Sequence, residues 1–136
     1  MQHIMVAHDL SEQAELALKR AAQLAMQHQA RLTVLYVQEE HLPQDMLEHN
    51  RVSAQKMLQG QLDALDVSAE VVIARGRPAQ TLVAQQKARE ADLLVMGDHH
   101  QESRLYFAGT TLERVLQKST TAVLLVVDQE LAPYTQ

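Results

Sequence analysis

Two hydrophobic periodicities alternate along the chain. His3–His8 (HIMVAH) is a short apolar run suited to a strand buried on both faces. Ser11 then stands where a helix N-cap is needed, with Glu12 in the first turn. Ala14, Ala17, Leu18, Ala21, Leu24 and Ala25 follow at helical spacing. That stripe is mostly alanine, so the helix can lie close against a sheet. Arg31–Val37 (RLTVLYV) is a second strand. Pro43 opens a helix over residues 43–65, with Leu47, Ala54, Leu58, Leu62 and Leu65 turned inward. Gly60 is about 1 kcal/mol less favourable than alanine in a helix, so a kink or break is expected there. Val67–Ala74 reads as a third strand, followed by an Arg-Gly-Arg-Pro turn and a helix that takes Ala79, Leu82 and Val83 inward. Asp92–Met96 is a fourth strand that stops at Gly97. A last helix carries Leu112, Val115 and Leu116, and Ala122–Val127 closes the pattern as a fifth strand.

Continuously apolar strands separated by amphipathic helices predict an α/β domain with a parallel sheet covered on both faces. Residues 1–136 form one such domain, ending in a polar tail over 128–136. In an open sheet of this kind ligands bind beyond the C-terminal strand ends, where the winding direction reverses. With the first strand central, between the second and the fourth, that point lies between the exits at His8-Asp9 and at Gly97-Asp98-His99-His100. Gly97 permits a positive φ or a close backbone approach. Gly109-Thr110-Thr111 opens the last helix, whose free amides suit an anion. Each feature also has a plainer reading. Gly97 can be a strand-ending turn, Asp9 a turn or capping residue, and Gly109-Thr110 an ordinary helix start.

Composition narrows the picture. There is no cysteine, which removes thiol nucleophiles, disulfides and Cys-based metal sites. The net charge of −5, the absence of a Lys/Arg cluster, and a single Phe with no Trp argue against nucleic acid as a partner. No stretch approaches the length and apolarity of a membrane span, and the MQHIMVAHDL start lacks the pattern of a signal peptide, so a cytoplasmic protein is expected. His8, Asp9, Asp98, His99 and His100 offer suitable metal-ligand types, but no HxxxH or HExxH spacing exists; no metal site is assigned. The other histidines, His3, His28, His41 and His49, read as surface or strand-end residues. A Walker-type loop is missing, and no lysine lies near Gly97 or Gly109. No catalytic set is evident.

Three segments resemble the universal stress protein family, in the family's order and over nearly the whole chain. IMVAHDLS is similar to its first strand and the Asp that follows. Gly76-Arg77-Pro78 is similar to a turn before its third helix. ADLLVMGDHHQ…GTTLERVLQKSTTAVLLVV is similar to its C-terminal signature. The resemblance implies a Rossmann-like open parallel sheet of five strands in the order 3-2-1-4-5, with helices on both faces. It also implies a homodimer through the fifth strand, Val123–Val127. An uncovered apolar edge there would invite pairing in any case.

Some family members bind ATP with a Gly-x2-Gly-x9-Gly-Ser/Thr pattern after the fourth strand. Gly97 matches its first position and Gly109-Thr110 its last pair. His100 stands at the second glycine, and only eight residues separate it from Gly109. By resemblance, Asp9, Val37, Met96, Gly97, His100, Gly109, Thr110 and Thr111 line a site for ATP or AMP, with magnesium. GDHHQ is closer to the GHHQ of the A-type branch, which generally does not bind ATP. Three readings stay open: a stress-response protein sensing or weakly binding an adenine nucleotide, an A-type protein without nucleotide, and a slow ATP-hydrolysing or self-phosphorylating enzyme.

Overall fold

The computed structural model describes residues 1–98 and 108–127. Within them strands and helices alternate as β1 (His3–Ala7), α1 (Glu12–His28), β2 (Arg31–Glu39), α2 (Gln44–Leu65), β3 (Glu70–Gly76), α3 (Pro78–Ala88), β4 (Leu93–Gly97), α4 (Ala108–Lys118) and β5 (Ala122–Val126). The sheet is parallel throughout and ordered β3-β2-β1-β4-β5, as expected. The tail over 128–136 lies outside the described residues.

β1 is the centre. It pairs with β2 from His3↔Arg31 to Ala7↔Leu35, and with β4 from Ile4↔Leu93 to Val6↔Val95. Ile4 and Val6 point into a core made with Ala17, Leu18 and Ala21 of α1 and Leu58 and Leu62 of α2. Met5 points the other way, against Ala79, Leu82 and Val83 of α3 and Val115 of α4. Ile4, Met5 and Val6 are fully buried, which explains the unbroken apolar run. Two helices thus cover each face.

Local chemistry sets the element ends. Ser11 caps α1, its hydroxyl accepting from the Ala14 amide at 3.1 Å. The third strand starts three residues later than its apolar pattern suggested. Asp66 is left-handed (φ 54°) and the Val67 amide bonds back to the Leu62 carbonyl at 3.2 Å, so Val67 belongs to the closure of α2. Gly76 remains on β3, opposite Glu39, rather than in a turn. Leu116, expected inward, is 52 % exposed; Val115 alone of that pair is buried.

The two sheet edges differ. β3 carries Glu70, paired with Arg89 Nη1 at 2.9 Å, and Arg75, whose Nη2 donates to the Glu40 carbonyl at 2.9 Å. β5 (AVLLV) carries no charge. Among the described residues no helix is long and apolar enough to cross a membrane.

The expected kink at Gly60 is absent: α2 runs unbroken through it. Gly60 is exposed, and a Cβ there would meet nothing within 4 Å. Gly60→Ala should therefore raise the unfolding free energy by about 0.5–1 kcal/mol, seen as a higher urea midpoint with an unchanged m-value.

Candidate functional site

The C-terminal ends of β1, β2 and β4 lie side by side where the sheet reverses direction, and the sequence-predicted residues divide between its two faces. Met96 is buried, and Val37 and Ala7 pack against the same apolar cluster on the face covered by α3 and α4. These three form an apolar patch at the C-terminal ends of β1, β2 and β4. Thr111 is half-buried in α4, whose Leu112 and Val115 join that cluster. Gly109 and Thr110 fall in the first turn of α4, where only the backbone is described. His99 and His100 lie outside the described residues.

Gly97 follows Leu93 and Val95 onto the opposite face, toward α1. A Cβ built on it would come within 2.6 Å of the Gln13 carbonyl oxygen, 2.7 Å of its carbon and 3.1 Å of the Ala14 nitrogen. Its φ is not in the left-handed region. The residue is glycine because backbone meets backbone: the first turn of α1 rests on the end of β4. Gly97 is also the last residue of β4, paired with Val126, rather than a turn after it.

Asp9 is exposed at the exit of β1. Its carboxylate accepts from the Ser11 amide at 3.1 Å and from the Ser11 hydroxyl, which in turn caps α1. An Asx-type turn with a coupled N-cap is the local role of this pair.

His8 is the feature that sequence reasoning left undeveloped. It is 3 % exposed, and its Nε2–H donates to Gln61 Oε1 of α2 at 2.8 Å. Its Nδ1 accepts from the Leu10 amide at 2.9 Å. Burial holds its pKa below the ordinary histidine value, against the opposing pull of the Gln61 bond and of the Asp9 and Glu15 carboxylates. A lone histidine ending an apolar strand was the available signal; nothing in the sequence marks Gln61 as its partner.

His3, at the other end of β1, is buried too. Its Nδ1–H donates to the Arg89 carbonyl at 2.9 Å, and its Nε2 accepts from the Thr33 hydroxyl at 2.7 Å. Beside it the Asp92 carboxylate takes the Gln2 and His3 amides at 2.6 and 2.7 Å, which lowers its pKa. Among the described residues no group of three or more His, Asp or Glu side chains is arranged to hold a metal ion.

A family model described as "Universal stress protein family" matches residues 1–127. Among solved structures, UspA from Lactobacillus plantarum is similar at 22 % identity and a TM-score of 0.80, over 92 % of this chain and 97 % of that one. A universal stress protein in complex with cAMP matches at 24 % identity and a TM-score of 0.73, over 93 % and 96 %. The universal stress protein from Archaeoglobus fulgidus in complex with dAMP matches at 20 % identity and a TM-score of 0.68, over 92 % and 97 %. These are likenesses of fold. No curated protein matches the chain.

Because neither backbone at the β4–α1 contact can swing aside as a side chain would, Gly97→Ala should destabilise the fold by about 1–3 kcal/mol in urea unfolding.

Proposed function

We propose that this chain, which belongs to the universal stress protein family, binds an adenine nucleotide in the crevice between Asp9 and the α4 N-terminus and works as a stress-response homodimer. The observation that carries the reading is the apolar floor of Ala7, Val37 and Met96 at the reversal point of the sheet. A planar base fits such a floor, and the backbone amides opening α4 at Gly109 and Thr110 suit its phosphate. That solved relatives carry cAMP and dAMP supports the same ligand class. Val37 and Met96 would contact the base, and Thr110 and Thr111 would stand near the phosphate. Magnesium would enter with the phosphates of ATP, since no carboxylate or imidazole cluster among the described residues suits it.

One observation favours a second reading, an A-type protein without nucleotide. Gly97 is fully accounted for by its contact with α1, so its retention gives no weight to a phosphate loop. Titration calorimetry with ATP and AMP, each with and without magnesium, separates the two. The proposed function predicts heat of binding, and an affinity lowered at least tenfold by Met96→Glu, which sets a carboxylate in the apolar floor. Absence of binding at millimolar nucleotide supports the second reading instead. The slow-enzyme reading predicts phosphate release above that of an Asp9→Ala control.

Dimerisation is read from β5, an edge strand without charge that ends beside Val127, 44 % exposed. Light scattering at micromolar concentration should give twice the chain mass, and Val127→Lys should shift the population toward monomer. A monomeric parent chain would exclude pairing through Val123–Val127.

A further inference from the structure

Among the described residues four non-glycine residues have left-handed backbone: Leu10, Gln29, Asp66 and Glu90. Gln29, Asp66 and Glu90 follow the C-termini of helices, where that conformation is common. Leu10 (φ 69°) instead sits at the entrance to α1, and a bulky apolar residue is strained there. Something must hold it, and the structure supplies two restraints. Its side chain packs against the core beneath α1 and α2. Its amide donates to His8 Nδ1 at 2.9 Å, while the same ring donates from Nε2 to Gln61 of α2 at 2.8 Å. His8 therefore bridges the strained turn to a helix on the far side of the ring, and its own amide continues the β1–β2 ladder to the Leu35 carbonyl at 2.8 Å.

Only the neutral, Nε2-protonated ring makes both bonds. A proton added at Nδ1 would face the Leu10 N–H, turning an attraction into a repulsion and leaving the amide unpaired. We propose that His8 is an acid-sensitive latch, which when neutral holds the Asp9-Leu10-Ser11 turn in its strained form at the mouth of the crevice and when protonated releases it. The charged groups acting on the ring are Asp9 from the turn and Glu15 from α1; α2 presents the neutral Gln61, and β2 meets only the His8 backbone amide, through the Leu35 carbonyl. Both carboxylates favour the proton, and burial, the larger effect, opposes it.

The sign follows from linkage. The folded-state pKa lies below the unfolded value of about 6.5. The latch therefore contributes fully above that pH, and its contribution is lost as the pH falls from there through the lower folded value. The latch is independent of what occupies the crevice. It is read without nucleotide, so an empty crevice leaves it standing.

The test is an NMR titration of the whole chain from about pH 7.5 to about pH 4.5, following the His8 ring nitrogens and the backbone amides of Asp9, Leu10 and Ser11. At the upper end the ring should show a bare Nδ1 and a protonated Nε2. On acidification the Leu10 amide should shift with the ring at one midpoint below 6.5. In His8→Asn, whose Oδ1 can accept from the Leu10 amide but does not titrate, that inflection should vanish. In Gln61→Glu, which sets a carboxylate against Nε2–H, it should move up by about one pH unit. A Leu10 amide that does not follow the ring overturns the proposal. So does an inflection that survives in His8→Asn, or a midpoint indifferent to Gln61→Glu.

Discussion

β1 has no free side. Both of its hydrogen-bonding edges are taken by parallel neighbours, and both of its faces are covered by helices. The rest of the architecture answers to that position. A strand so placed must be apolar at every position between its ends, must hand the chain to a crossover helix at once, and must leave its polar chemistry to its two termini. The chain leaves β1 toward α1, whose first turn packs at the end of β4. The contact at Gly97 fixes how close that turn and β4 stand, backbone against backbone.

The two termini of β1 solve the same problem with the same residue. His3 and His8 are both buried, and each joins a strand end to a neighbouring element. They use opposite tautomers: His3 donates from Nδ1 to a carbonyl and accepts a hydroxyl at Nε2, while His8 donates from Nε2 and accepts a backbone amide at Nδ1. Each imidazole uses both ring nitrogens, so each end of the strand is closed by two ring hydrogen bonds. The carboxylate of Asp92 reinforces the lower end by gathering the first two amides after Met1.

Much of this was legible in the sequence, because apolar periodicity reports burial and burial is what a central parallel strand is made of. The alanine stripe of α1 and the Ser11 cap follow from pattern, while the full strand order and the joint position of Val37 and Met96 came with the family resemblance. What escaped was whatever depends on a specific contact that apolar spacing does not report. Val67 has strand-like chemistry, but the closure of α2 takes its amide. Leu116 keeps helical spacing yet faces outward, because α4 needs only Leu112 and Val115 against the sheet. The role of Gly97 was half legible: close approach was one of two expectations, but the backbone that approaches is the protein's own. His100, on which the reading of the phosphate loop turned, lies outside the described residues.

The two edges of the sheet are unlike in charge. β3 is guarded by Glu70 and Arg75, each tied to another element, while β5 is bare of charge. Had both edges been apolar, each copy could offer one strand to a copy on its left and one to a copy on its right, and a continuous ribbon would have no reason to stop. In the homodimer proposed above, the sheets of two copies would meet β5 to β5, about a two-fold axis, each consuming the other's capacity to recruit a third. The charges on β3 would then act as a terminator, and such a pair would close at ten strands.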